Sequence, residues 1–323
     1  MIIDYIDDRR AVHGVEPICA VLAEAGVAIA PSTYYQRKQQ PVSRAELEEA
    51  YLVNALVTLW NDNWGVYGIR KLWHAARRAG LGGDRPLGRD QVGRLMGIAG
   101  ITGAIRGRHR TRTTIRDQSA PRHPDLVNRG WNAPTATDQL WVADFSYVWT
   151  LAGFVYVAFV VDVYSRRILG WRVSTSRAAP LVTDALRQAL DVRHRAHSSS
   201  ESCWAATGLI HHSDAGTQYT SVALTAELAQ AGIAGSIGTV GDALDNALCE
   251  STIGLFKTEA INLTGPAWRD RRDVEWQVAR WVHWYNTTRL HSSIGHLPPI
   301  EYELEAEERH RQATTEAPVP EVA

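Results

Sequence analysis

Cysteine is scarce in this 323-residue chain: Cys19, Cys203 and Cys249 stand far apart and form no Cys-x-x-Cys pair. That excludes a disulfide framework and a cysteine-rich zinc site, and leaves small buried thiols as the expectation. Long apolar runs are missing too, since nothing approaches the roughly 18 apolar residues that a membrane span needs. The start, MIIDYIDDRR, carries acids where a secretory leader would carry bases, so a cytoplasmic chain without membrane contact is expected. Net charge is nearly absent as well, at −1. What remains, 45% hydrophobic and 21% charged residues, is ordinary for a soluble globular protein. The length allows one large core, one smaller unit and a short tail.

The small net charge hides an asymmetry. Between Asn61 and Gly130 there are fourteen Arg and Lys against five Asp and Glu, whereas Glu301 to Ala323 holds seven Glu and two Arg. A basic middle beside an acidic end points to a polyanion-binding region and a solvating tail.

Residues 1–104 read as helical. PICAVLAEAG has apolar spacing near 3.6, and Ser32 in APSTYYQRK is the expected cap of the next helix. Glu46 to Trp60 is amphipathic, and WNDNWGVYG supplies a turn. YGIRKLWHAARRAG and RDQVGRLMGIAGI then give two short helices around the breaker GLGGDRPLG. Two Arg-rich helices about a turn fit a helix-turn-helix unit, with Arg89 and Arg94 placed to read base edges, or else a plain helical bundle. From 105 to 130 the periodicity stops while Arg106, Arg108, Arg110 and Arg112 lead a basic linker. It reads as a strap along a phosphate backbone or as a solvated tether.

Residues 131–300 change character. QLWVADFSYVW, FVYVAFVVDV and RRILGWRVS form three β-rich runs joined by turns near Gly153 and Ser165, as in an antiparallel meander. A helix, the short strand GLIHHSD, a helix at SVALTAELAQAG, the strand IAGSIG and long helices from Leu244 follow. This order predicts an α/β fold, a mixed sheet flanked by helices, and it is the order of an RNase H-like core. Beyond 301 the acidic tail is expected to be disordered.

Three acids stand where strands and a helix can bring them together: Asp144 in the first strand, Asp214 after the fourth, and Glu250 in NALCESTIGLFKTE. An acid inside LWVADFSYV carries a desolvation cost unless a cation balances it. Hard divalent ions such as Mg²⁺ take carboxylate oxygens, and a pair of such ions serves phosphoryl transfer. Asp162 is the rival, but at a strand end it is expected to meet solvent or pair with Arg166. Asp242 and Asp245 read as helix caps or supports. Asn246, Glu250 and Lys257 fall at i, i+4 and i+11, giving one helix face an amide, a carboxylate and a cation suited to a DNA phosphate.

Asp214 and Glu250 are separated by thirty-five residues, and Lys257 follows seven after Glu250. That pattern is similar to the Asp-Asp-Glu arrangement of retroviral-integrase-like transposases. More closely, WGVYGIRKLWHAARRAG, LWVADFSYV, VDVYSRRILGW, HHSDAGTQYTS, GDALDNALCESTIGLFKTE and WYNTTRLHSSIGHLPPIEYE resemble the second-reading-frame (OrfB) transposases of the IS-three family of insertion sequences, from about residue 3 to 303. The resemblance implies an RNase H-like integrase core preceded by helix-turn-helix segments, with Asp144, Asp214 and Glu250 as catalytic ligands of Mg²⁺, for which Mn²⁺ substitutes. It implies cleavage at the ends of an insertion sequence and joining through a freed 3′-hydroxyl, by a homo-oligomer on DNA. It also implies an upstream-frame (OrfA-type) partner or fusion, because no heptad run of the kind that frame supplies is present. Ala215 departs from the family, which commonly has Arg after the second Asp. A hydrolysis-only nuclease and a DNA-binding regulator with a vestigial triad remain the alternatives.

Other residues have plainer readings. His211 and His212 find no third ligand at finger-like spacing and read as strand histidines. Trp276, Trp281, Trp284 and Tyr285 have the spacing of core packing, although such rings also stack on bases. Tyr285, Asn286, Arg289 and His291 are placed to contact DNA near the active site, with helix termination as the other reading of Asn286.

Overall fold

The computed structural model describes residues 2–39, 42–105, 123–127, 130, 133–196, 204–238, 247–262 and 267–315. No helix among them is long and apolar enough to cross a membrane.

Three short helices come first: α1 (Ile2–His13), α2 (Val15–Glu24) and α3 (Pro31–Gln39). They close a small core of Ile6, Val15, Ile18, Cys19 and Tyr34, whose rim is fixed by the Tyr34 hydroxyl donating to Asp7 Oδ1 at 2.6 Å. Ser32 does not cap α3. Pro31 opens the helix instead, because its fixed φ and missing N–H suit the first helical position. α4 (Arg44–Asp62) starts at a capping box: Ser43 Oγ accepts from the Glu46 N–H at 3.2 Å, and Glu46 Oε2 accepts from the Ser43 N–H at 2.8 Å. Such a cap contributes about 1 kcal/mol. α5 (Ile69–Arg78) and α6 (Arg89–Ala99) follow, and α6 ends where Gly100 turns left-handed at φ 67°.

β1 (Leu140–Thr150), β2 (Gly153–Asp162) and β3 (Ile168–Ser174) form the expected antiparallel meander. After α7 (Pro180–Ala196), β4 (Ile210–Ser213), α8 (Val222–Gln230) and β5 (Ala234–Ile237) complete a mixed sheet of order β3-β2-β1-β4-β5, in which β1, β4 and β5 run parallel. α9 (Ala247–Phe256) continues into one π-helical turn at Lys257–Asn262, and α10 (Arg271–Thr287) and α11 (Pro299–Thr315) close the chain.

Strand alternation assigns the two faces of the sheet. Leu140, Val142, Val148, Val157 and Phe159 face a core shared with α9, α10 and the α4–α6 unit. Trp141, Ala143, Ala158 and Val160 face α7 and α8. Gly170 lets α7 lie against β3, since a Cβ there would stand 2.0 Å from the Ala185 carbonyl oxygen.

Several expectations give way to longer-range pairing. The acidic segment after Glu301 is helical as far as Thr315. It is anchored by buried Glu303, which accepts from Arg193 Nη2 at 2.8 Å. Asp162 is fully buried rather than solvated, and its partner is not Arg166. Its carboxylate accepts from the Ser165 N–H and the Asp138 N–H, both at 2.8 Å, and Arg193 lies 3.6 Å away. Asn286 is buried and does not end α10; it exchanges two hydrogen bonds with the Ile168 backbone, tying α10 to β3.

Candidate active site

The sheet register explains how two of the acids meet. Val142 pairs with His212 and Ala143 with Ser213, the last rung of the parallel β1–β4 ladder. Asp144 and Asp214 are the next residues along the β1 and β4 paths, and neighbouring strands lie about 4.8 Å apart. Both carboxylates are half-buried. Asp144 Oδ1 accepts from the Phe145 N–H at 2.7 Å, and Asp214 Oδ1 from the Gly216 N–H at 3.1 Å. A Cβ at Gly216 would approach Asp214 Oδ1 to 3.0 Å, so glycine leaves that oxygen room.

The electrostatics follow from this pairing. Burial first, and then the charges of Asp214 and Glu250, hold the Asp144 carboxyl well above the usual aspartate range, while its bond from Phe145 and the Lys257 charge pull the other way. Burial likewise raises Asp214, against the Gly216 N–H and His212. Glu250 sits exposed in the first turn of α9. Lys257 opens the π-helical turn with its ammonium 5.0 Å from the centre of the Tyr147 ring. The fold thus gathers Asp144, Asp214, Glu250 and Lys257 into one electrostatic neighbourhood.

Among the described residues no three His, Cys, Asp or Glu side chains stand close enough to hold a metal ion as they lie. The donor set nevertheless fits a hard divalent cation. Its groups are carboxylates, one on β1 and one just after β4, both raised chiefly by burial, and an ion that keeps several waters needs only one or two protein carboxylates.

Other expected site residues fall elsewhere. Arg89 and Arg94 are exposed on α6; Arg89 pairs with Asp90 at 3.0 Å and Arg94 with Glu49 on α4. Arg89 also borders an open cleft of about 420 Å³ between α5 and α6, with Arg70, Trp73 and Gln91. Arg289 and His291, expected at a DNA surface, are instead turned into the core. Arg289 is buried in an ion pair with Glu259, donating from Nε to Oε2 at 2.9 Å. His291 is buried against the Tyr285 carbonyl at 3.3 Å, and burial, with Arg289 nearby, holds its imidazole well below the usual range. At 3% exposure the Arg289 guanidinium is enclosed by the core, away from any outside phosphate. Trp281, Trp284 and Tyr285 pack in the core, whereas Trp276 is exposed. His211 and His212 are buried strand residues; His212 Nδ1 lies 2.9 Å from Ser236 Oγ. Arg106, Arg108, Arg110, Arg112, Asp242, Asp245 and Asn246 lie outside the described residues.

Two groups at the site had no signal in the sequence pattern. Cys249 is fully buried on α9, with burial and the charges of Asp144, Asp214 and Glu250 pushing its thiol up. Tyr219, 2% exposed, has a buried hydroxyl without a hydrogen-bond partner among the described residues.

Two integrase core domain models match residues 134–243 and 231–299, and an HTH-like domain model matches 46–109. With the sheet and its acids, these matches define a polynucleotidyl transferase of the integrase-core class that handles DNA. A putative transposase for insertion sequence element IS986/IS6110 from Mycobacterium tuberculosis is 46% identical over 275 residues, covering 85% of this chain and 95% of the relative. The transposase for insertion sequence element IS629 from Shigella sonnei is 41% identical over 304 residues, covering 92% and 94%. Among solved structures, the HTLV-2 integrase catalytic core domain in complex with magnesium aligns at a TM-score of 0.40 and 13% identity, over 52% of this chain and 98% of that one. The chain belongs to the insertion-sequence transposases of the IS-three family, second-reading-frame type.

Proposed function

We propose that this transposase cuts a phosphodiester at each end of its own insertion sequence and then joins the freed 3′-hydroxyl to a second strand, at a site formed by Asp144, Asp214 and Glu250. The observation that carries this reading is the Asp144–Asp214 pair, two carboxylates on adjacent strands whose charges repel and whose burial disfavours ionisation. Carboxylates held in that way are stabilised by a cation, and we assign the triad to Mg²⁺, with Mn²⁺ as a substitute. Such ions, when bound in pairs, activate the attacking oxygen and stabilise the leaving one.

The chain's own residues do the rest. The Phe145 and Gly216 N–H groups orient one oxygen of each aspartate. Lys257, beside the triad, neutralises a DNA phosphate. Arg89 and Arg94 on α6 read the element end, while Arg106, Arg108, Arg110 and Arg112 follow the phosphate backbone; Asn246 adds a polar contact beside Glu250. The enzyme works in the cytoplasm as a homo-oligomer on DNA, together with an upstream-frame partner or as a fusion to it.

The test is incubation of the full chain, with and without the upstream-frame product, on DNA carrying its neighbouring inverted repeats in Mg²⁺ or in chelator. Metal-dependent cleavage followed by strand-transfer products is expected. Nicked DNA alone would reduce the protein to a nuclease, and tight binding without cleavage in metal-replete buffer would make it a regulator.

A further inference from the structure

The outer half of the β1–β2 hairpin holds aromatic rings in water. The cross-strand pairs Tyr147–Tyr156 and Trp149–Phe154 put four rings on one face of the sheet, and Phe145, one rung further in, continues the row. The rings meet edge to face: Phe154 lies 5.2 Å from Tyr147 and 4.8 Å from Trp149, and Phe145 lies 6.5 Å from Tyr156. Burial falls away outward, until Phe154 is 49% and Trp149 63% exposed. The tip is not loose, because Leu151 and Ala152 donate their N–H groups to the Trp268 and Arg269 carbonyls at 2.8 and 3.1 Å. Rings fixed in this way forgo the burial that makes them valuable in a core, and they present π faces to a partner.

The neighbours of the row say which partner. It starts at the residue after Asp144, and at about 3.3 Å per residue Tyr147 and Trp149 stand about 10 and 17 Å along β1 from that acid, a reach of a few nucleotides. Among the described residues the β1–β4 ladder ends at Ala143–Ser213, so no strand pairs with β1 on that side beyond the acid. Round this edge comes Lys257 from the α9 side, its ammonium 5.0 Å from the centre of the Tyr147 ring. No acid stands on these rungs, and their one charge, Arg172, is paired with Asp184 on α7 at 3.3 Å. A cation leading onto consecutive rings is the combination that holds single-stranded nucleic acid, since every base has a face to stack, whatever the sequence.

We propose that Tyr147, Phe154 and Trp149 form a stacking platform for unpaired bases of the DNA strand that runs on from the cutting centre, with Lys257 guiding the phosphate between the two. The inference rests on Asp144 as part of that centre. Such a platform takes bases of any sequence and adds nothing to a fully paired duplex, so it favours DNA opened beside the cut.

The test uses the full chain as wild type, Trp149→Ala, Trp149→Phe and Asp144→Asn, in chelator so that no strand is cut. Each is titrated with a fluorescein-labelled oligothymidylate and with a blunt duplex of the same length. Trp149→Ala is expected to bind oligothymidylate roughly five- to 150-fold more weakly and the duplex as wild type does, while Trp149→Phe keeps most of the single-strand affinity. Element-end DNA with 2-aminopurine at unpaired positions beside the scissile phosphate then ties the platform to the centre: stacking quenches the fluorescence in wild type and Asp144→Asn, and Trp149→Ala restores it. Unchanged oligothymidylate binding by Trp149→Ala overturns the platform, as does an equal loss on both probes. If that variant instead sediments as a smaller species with single-strand binding intact, the face is a contact between copies of the chain and the proposal falls. Cleavage by Asp144→Asn in Mg²⁺, with Trp149→Ala still weakened on oligothymidylate, would sink the cutting centre and leave the platform standing, so the two failures are distinct.

Discussion

Arg289 offers the sharpest separation of a structural arginine from a DNA-binding one. Its guanidinium donates from Nε to both Glu259 oxygens, at 3.2 and 2.9 Å, and from Nη2 at 2.5 Å. The side chains are 3% and 6% exposed, so water screens the pair little. Arg289→Ala leaves the Glu259 carboxylate buried with the Trp281 N–H, 3.3 Å away, as a remaining donor. Breaking a buried pair on one side costs about 3–5 kcal/mol, which is roughly two to three and a half powers of ten in the folding equilibrium. Glu259→Gln should cost a similar amount, whereas the double variant Arg289→Met with Glu259→Leu should recover most of the loss, because neither charge then remains in the core. Urea unfolding of the four proteins measures these differences, and DNA titration of the folded variants completes the test. A stable Arg289→Ala protein with weakened, less salt-sensitive DNA binding would refute the burial argument and return Arg289 to the DNA surface.

Three further outcomes are expected. Asp144→Asn, Asp214→Asn or Glu250→Gln should each lower cleavage and joining about a thousandfold, a loss of about 4 kcal/mol in the transition state, with DNA binding retained; full activity in any one removes that residue from the site. Asp162 is raised to about 6, chiefly by burial, so the folded protein holds a proton there that the unfolded chain has released. Its contribution to stability therefore falls as pH climbs from the ordinary aspartate range near 4 to about 6. Wild type should lose ground against Asp162→Asn across that window, by up to about 3 kcal/mol, and parallel stability curves would refute it. Changing Arg106, Arg108, Arg110 and Arg112 to Ala should flatten the salt dependence of DNA binding by about 0.9 log units per lost phosphate contact, while Arg89→Ala or Arg94→Ala should cut the preference for element ends. An unchanged salt slope removes the strap, and an unchanged preference moves recognition to the upstream partner.

The parts of the fold legible in the sequence are those encoded locally. Alternation in LWVADFSYVW and FVYVAFVVDV marks the two central strands, and an acid in the middle of the first is conspicuous because the run around it is apolar. The illegible parts depend on partners far along the chain. Glu303 looks solvated among seven acids, but Arg193 stands 110 residues away. Arg289 looks like a phosphate contact until Glu259, 30 residues earlier, turns inward on the π-helical turn. Asp162 looks like a strand-end charge until Asp138 and Ser165 enclose it. Tyr219 lies within HHSDAGTQYTS, yet an unmet hydroxyl exists only in three dimensions.

The helix that carries Arg89 and Arg94 is packed into the same core as the sheet domain. Leu56, Leu72, Val92 and Leu95 from α4–α6 belong to the same buried cluster as Val278 and Trp281 of α10. The Tyr67 hydroxyl accepts from the Leu290 N–H at 2.7 Å, and Trp64 stacks on Trp284 with ring centres 5.5 Å apart. On the proposed assignment of base reading to α6 and cutting to Asp144, this shared core acts as a caliper: the span between the two is set by packing inside the protein, and the DNA must bring its end to that gauge.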